Sequence, residues 1–267
     1  MKKLGIFLRW CLVLYILGAV ILYVLQDAIL FRPKPLENNF EDTFSLPHQY
    51  LRIPLTATDT LSILKIYSLL PLKKGSVIYF HGNRDNVQRY IPFAGIFTRA
   101  GYDVYMPDYP GYGRSTGIIS EASLYAQAMR VYEEASANSS GDSIIIYGKS
   151  LGSGIAAYLA SQKPSRMLIL ETPYYDVSGI FGAYAFMYPV HQLVKYKIPT
   201  WKYVQQVKEQ VIIFAGEADG VIRFSENKKL EPLLKPQDAF YSIPGAGHNE
   251  VNLSPEYLFK MDSLLRL

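Results

Sequence analysis

Gly148-Lys149-Ser150-Leu151-Gly152 stands between Ser143-Ile144-Ile145-Ile146-Tyr147 and Ile155-Ala156-Ala157-Tyr158-Leu159-Ala160. The upstream run is short, apolar and β-branched, and reads as a buried strand. The downstream run reads as a helix. A strand, a sharp turn with glycine on both sides, and a helix form the context in which a G-x-S-x-G pattern becomes a nucleophile elbow. The glycines let the backbone bend and leave room around the serine. Ser150 is then expected to project at the edge of the sheet, with the helix N-terminus aiming N–H groups and a positive dipole at what forms there.

A serine nucleophile needs a base, and the chain has only four histidines. His48 precedes the first strand candidate, and His191 lies in an aromatic, helix-like insertion. His81 ends the strand Ser76-Val77-Ile78-Tyr79-Phe80. His248 lies in Gly245-Ala246-Gly247-His248-Asn249, directly after the strand Ala239-Phe240-Tyr241-Ser242-Ile243, and is the expected base. With a nucleophile on such an elbow, the acid falls between serine and histidine in the chain. Asp219 is the choice, since the buried strand Val211-Ile212-Ile213-Phe214-Ala215 runs into Gly216-Glu217-Ala218-Asp219-Gly220. Glu217 and Glu171 are the rivals, and a turn aspartate beside Gly220 is the plainer reading. The oxyanion donors are expected to be the Leu151 N–H, after the nucleophile, and the Asn83 N–H, in the loop that His81-Gly82-Asn83 opens.

These stretches, together with Asp108-Tyr109-Pro110-Gly111-Tyr112-Gly113-Arg114-Ser115, resemble the membrane-anchored α/β-hydrolase-domain serine hydrolases over about residues 48 to 267. The resemblance implies Ser150 as nucleophile, Asp219 as acid and His248 as base. It implies that the Asp108 to Ser115 run is the loop after the next strand and shapes the floor of the site. Asn83-Arg84-Asp85-Asn86 departs from the smaller residues that often follow this motif in relatives.

Composition narrows the classes. The formal charge is +4 and almost half the residues are apolar. No basic stripe is interleaved with stacking aromatics, so no nucleic-acid partner is expected. The single Cys11 allows no internal disulfide. No HExxH motif or cysteine pair is present, and no metal or organic cofactor is expected.

Leu4 to Leu25 is apolar apart from Arg9, and roughly 20 such residues span a bilayer as a helix. A signal peptide is the competitor. Its apolar core would be shorter, and Gln26-Asp27-Ala28 lacks the small-x-small cleavage pattern. Arg9 is near enough to the end to snorkel. Lys2, Lys3 and Arg9 place the N-terminus in the cytoplasm by the positive-inside rule, with Arg32 and Lys34 weighing against it.

The expected organisation is a membrane anchor over 1–29, a connector over 30–47 and an α/β-hydrolase domain over 48–267. Its fold is α/β: a mostly parallel central sheet flanked by helices. Strand candidates include Tyr50 to Leu55 and Leu61 to Ser68, and Glu121 to Ala137 is a helix candidate. A small helical cap is expected over 174–206, rich in Ile180, Phe181, Tyr184, Phe186, Met187, Tyr188 and Val190. Such a cap suits an acyl chain, although the same residues could simply pack on the sheet. The expectation is a single-pass membrane hydrolase, its catalytic domain outside the cytoplasm, cleaving carboxylic esters or thioesters of small-molecule or lipid substrates. A serine peptidase on the same fold and a catalytically silent binding protein are the alternatives. Nothing in the sequence fixes the oligomeric state.

Overall fold

The computed structural model describes residues 2–37, 40, 44–182, 185 and 187–266. Its elements in chain order are α1 (Lys2–Leu30), β1 (Arg32–Pro33), β2 (His48–Pro54), β3 (Thr60–Ile66), β4 (Gly75–Phe80) and β5 (Arg84–Asp85). Then follow α2 (Ile91–Arg99), β6 (Tyr102–Pro107), α3 (Glu121–Ser136), β7 (Ile144–Lys149), α4 (Leu151–Gln162) and β8 (Met167–Glu171). Three short helices, α5 (Val177–Gly182), α6 (Val190–Leu193) and α7 (Thr200–Val204), interrupt the alternation. The chain closes with β9 (Gln210–Gly216), α8 (Phe224–Lys228), β10 (Ala239–Ile243) and α9 (Pro255–Arg266).

Eight strands form one sheet in the order β10-β9-β8-β7-β4-β6-β3-β2. Pairings from β10 to β6 are parallel, and β3 runs antiparallel to both β6 and β2. Successive side chains on a strand face opposite sides. Ile144 and Ile146 of β7 therefore enter one core, with Leu124 and Val131 of α3 and Ile155 and Leu159 of α4. Ile145 and Tyr147 enter the other, with Phe97 of α2 and Met261 of α9. Burial on both faces is why β4, β7, β8 and β9 are near-continuous apolar runs. Parallel strands joined by helices bring the C-terminal ends of β4, β7, β9 and β10 to one edge, where open α/β sheets bind ligands.

α1 is long and apolar enough to cross a membrane, with a mean hydropathy of 2.2 over its best 18-residue window. Most of its side chains are exposed, but its C-terminal end is not a free tether. Leu30 and Phe31 are buried in the first core. Gln26 donates to the Leu193 carbonyl and accepts from the Lys195 N–H, and Lys195 pairs with Asp27 at 2.9 Å. The segment after it was expected to be a connector, yet β1 pairs in parallel with β5, and Pro35 bridges to Gly113. Backbone bonds carry this docking: Lys34 N–H donates to the Asp85 carbonyl and Leu36 N–H to that of Gly113.

Candidate active site

The turn between β7 and α4 holds Ser150 at φ 52° and ψ −118°, a strained conformation for a residue with a side chain. Packing enforces it. A Cβ on Gly148 would lie 2.5 Å from the Gly152 carbonyl oxygen, and one on Gly152 would lie 2.2 Å from that of Phe80. Only hydrogen fits at either place, so the elbow can press against the end of β4. The Ser150 N–H donates to the Glu171 carbonyl and its own carbonyl accepts from the Ser153 N–H and hydroxyl. Its hydroxyl is left to point away from the helix.

Three side chains from three loops meet there. Ser150 Oγ lies 2.9 Å from His248 Nε2, and His248 Nδ1 lies 2.7 Å from Asp219 Oδ2. In the tautomer this network selects, Nδ1–H donates to Asp219 and the serine hydroxyl donates to Nε2. The other Asp219 oxygen accepts the N–H groups of Val221 and Ile222 at 2.8 and 2.9 Å. The turn at the end of β9 thus fixes the carboxylate from behind.

The rivals are elsewhere. Glu217 is exposed. Glu171 is buried and takes the Lys149 ammonium and the Tyr147 hydroxyl. His191 Nδ1, in the insertion, lies 2.7 Å from Ser178 Oγ, but the Ser178 hydroxyl donates to Asp176 at 2.5 Å, which leaves His191 as the donor to it. These three form an acid–serine–histidine chain in the wrong order to activate the serine. His48 sits at the start of β2, and His81 is fully buried beneath the loop after β4.

Asn83 and Leu151 both face the space in front of Ser150. Neither N–H makes a hydrogen bond among the described residues, so both donors are unspent beside that space. The loop carrying Asn83 is braced from below. Tyr109 donates to the His81 carbonyl at 2.6 Å, and Tyr112 donates to the Asn83 carbonyl at 2.9 Å. The Tyr112 hydroxyl also accepts the Arg32 N–H, and Arg32 N–H reaches the Asn83 carbonyl as well. The strand that follows α1 is thereby bonded to the loop expected to stabilise an oxyanion.

Under that loop His81 is enclosed by Tyr90, Tyr109 and Tyr112. Burial holds its imidazole down to about 4, only partly opposed by its bond to the Gly82 carbonyl. Asp108, 3.9 Å away, is buried too. Desolvation pushes its carboxyl up to about 7, against the N–H groups of Val87 and Arg114 and the Arg114 charge. The Asp108 to Ser115 loop is thus a buried support under the site.

A cleft of about 360 Å³ opens over Ser150 and His248. Ile180 of α5 and Val221 and Ile222 supply apolar wall, and so do Ile29 and Leu30 at the end of α1. The insertion divides between the cleft and the core. Ile180 faces the cleft, while Phe181, Val190 and Val194 pack on the core, and Tyr188 stacks on Tyr15 of α1 at 4.7 Å. Tyr184 and Phe186 lie outside the described residues. Arg32, Arg84 and Arg89 form the polar side, with Lys149 behind. Sequence reasoning missed this side and the end of α1. The only signal was the unusual Arg84 after Asn83. Among the described residues no group of three His, Cys, Asp or Glu could hold a metal ion.

Comparison with known proteins fits this architecture. Residues 72–212 match a family model described as serine aminopeptidase, S33. Protein bem46 of Schizosaccharomyces pombe is 27% identical over 238 residues, covering 84% of this chain and 77% of that protein. The α/β hydrolase domain-containing protein aho-3 of Caenorhabditis elegans is 30% identical over 199 residues, covering 73% of this chain and 59% of its own length. α/β hydrolase domain-containing protein 17B of Xenopus laevis is 29% identical over 195 residues, 72% of this chain and 66% of that one. Among solved structures, an esterase from Pyrococcus furiosus superposes with a TM-score of 0.68 at 18% identity, covering 89% of this chain and 97% of that one.

Proposed function

The chain belongs to the serine aminopeptidase S33 family within the α/β-hydrolase superfamily and is a hydrolase; from that premise we propose that it is a membrane-tethered serine hydrolase of carboxylic esters or thioesters. The observation that carries this reading is the continuous chain Asp219–His248–Ser150 ending under an apolar cleft. Ser150 Oγ attacks the acyl carbonyl as His248 Nε2 takes its proton, and Asp219 holds the imidazolium that forms. The Asn83 and Leu151 N–H groups receive the oxyanion. Collapse expels the alcohol or thiol, protonated by His248, and leaves an acyl-Ser150. Water, deprotonated by His248, then releases the acid and restores the serine.

An aminopeptidase reading is suggested by the family description, but the cleft speaks against it. A free α-amine needs a carboxylate, and no Asp or Glu is among the described residues lining the cleft. The apolar wall suits an acyl chain. α1 as a single-pass anchor, with Lys2, Lys3 and Arg9 on the cytoplasmic side, would set the domain outside the cytoplasm and close to lipid. A tether this short raises the local concentration of lipid substrates. The test is turnover of p-nitrophenyl esters of increasing acyl length by full-length protein in detergent. The reading expects hydrolysis that Ser150→Ala abolishes. Absence of turnover on every chain length, with a well-folded protein, would overturn it.

A further inference from the structure

The polar wall of the cleft is cationic without a matching anion. Arg32, Arg84, Arg89 and Lys149 line it, and no carboxylate does among the described residues. Two of these charges are already answered: Lys149 by Glu171, and Arg89 by Asp85 at 2.9 Å. Arg32 and Arg84 form no ion pair among the described residues. They are direct register partners across the β1–β5 pairing, and both face the cleft. Like charges set opposite each other on paired strands are unfavourable, and more so where no anion lies between them. Strand pairing here sets two arginines opposite each other at the cleft wall. Arg84 also directly follows Asn83, so one of the pair stands a residue away from the expected oxyanion donor.

We propose that Arg32 and Arg84 form an anion-recognition subsite, and that the substrate is an acyl ester carrying a phosphate group about a glycerol backbone away from the scissile carbonyl. The guanidinium fork binds phosphate oxygens in pairs, which orients as well as attracts. The acyl chain then lies along Ile180, Val221, Ile29 and Leu30, and the phosphate lies at the cleft mouth beside the paired strands β1 and β5. Because β1 follows α1 directly, this mouth is at the end of the helix that would emerge from the bilayer. The subsite rests on the serine-hydrolase reading for its role in turnover, though not for its binding.

Matched pairs of esters test it, using full-length protein in neutral detergent. The long-chain pair is 1-oleoyl-glycerol-3-phosphate and 1-oleoyl-glycerol; the short-chain pair is 1-butyryl-glycerol-3-phosphate and 1-butyryl-glycerol. Wild type should favour the phosphate member. Arg32→Gln combined with Arg84→Gln should lower kcat/KM for it roughly ten- to a hundredfold more than for the neutral member, mainly through KM. Arg32→Lys with Arg84→Lys should recover part of the preference. Preference in both pairs would mark soluble phosphate esters as substrates, and preference confined to the oleoyl pair a lipid. Equal loss on charged and neutral esters, or no loss, overturns the subsite while leaving the hydrolase reading intact. Equilibrium binding of the same compounds to Ser150→Ala gives a readout free of turnover. Arginine-dependent binding there, with no hydrolysis by wild type, would keep the subsite and sink the hydrolase reading.

Discussion

Glu171 closes on Lys149, the residue directly before Ser150, and the pair is out of solvent: Lys149 is 3% exposed and Glu171 0%. The carboxylate also takes the Tyr147 hydroxyl, which lies 3.0 Å from that of Tyr257. Glu171 therefore anchors the floor of the elbow from the neighbouring strand. Glu171→Gln would leave a buried ammonium without its counter-charge, and should cost about 3–5 kcal/mol of stability. Denaturant unfolding measures this. A stability near wild type would show that the pair does not hold the elbow.

Asp219 and Glu217 should separate cleanly in kinetics. Asp219→Asn keeps an oxygen for Val221 and Ile222 but turns the imidazole to the wrong tautomer, so turnover should fall on the order of 10⁴-fold. Glu217→Gln, at an exposed position, should leave both turnover and stability within a factor of two or so. Steady-state rates on a p-nitrophenyl ester decide it. A near-normal Asp219→Asn would require another acid.

Ile180 is the described residue of α5 that reaches the cleft. Ile180→Asp should therefore harm long acyl esters more than acetyl esters, by roughly tenfold in kcat/KM. A rate panel over acyl lengths measures it. Equal loss at every length would make Ile180 a packing residue only.

His81 and Asp108 should give the domain an unusual pH profile. Asp108 has a folded pKa of about 7, above its usual 3.8, so it binds more protons folded than unfolded and its contribution is lost as pH rises through 7. His81, at about 4 and below its usual 6.5, does the reverse, and its contribution is lost as pH falls from 6.5 toward 4. Between those limits the two slopes oppose and stability should be nearly flat. From pH 6.5 to 8 the Asp108 slope outweighs the fading His81 slope, and roughly half a kcal/mol should be lost. Asp108→Asn should abolish that loss and unmask the acid-side slope of His81. Melting curves across pH 4 to 8 test it, and an Asp108→Asn profile parallel to wild type would contradict it.

The elbow was legible because a strand buried on both faces leaves an uninterrupted run, here Ile144-Ile145-Ile146, and because Gly148 and Gly152 are the only residues that fit beside it. The loop positions of Asp219 and His248 followed from β9, a run of the same kind, and from the half-buried edge strand β10. The antiparallel edge was less exact: β2 begins at His48, two residues before the expected start. What stayed hidden has a common cause. β1 and β5 are two residues each and are held by backbone bonds, so they leave no side-chain pattern. Arg32 reaches the cleft by that pairing, across 52 residues of sequence. The Lys149–Glu171 pair is likewise invisible until β7 and β8 are in register.

Covalent labelling by a fluorophosphonate tests the central claim most directly. The activated serine displaces fluoride and keeps the phosphonyl group, so the modified peptide names the nucleophile. Full-length protein should carry one adduct, on the peptide containing Ser150, and Ser150→Ala should fold and carry none. Ser178, with His191 at 2.7 Å, is the built-in control and should stay unmodified. An adduct on Ser178, or labelling that survives in Ser150→Ala, would contradict the assignment of Ser150.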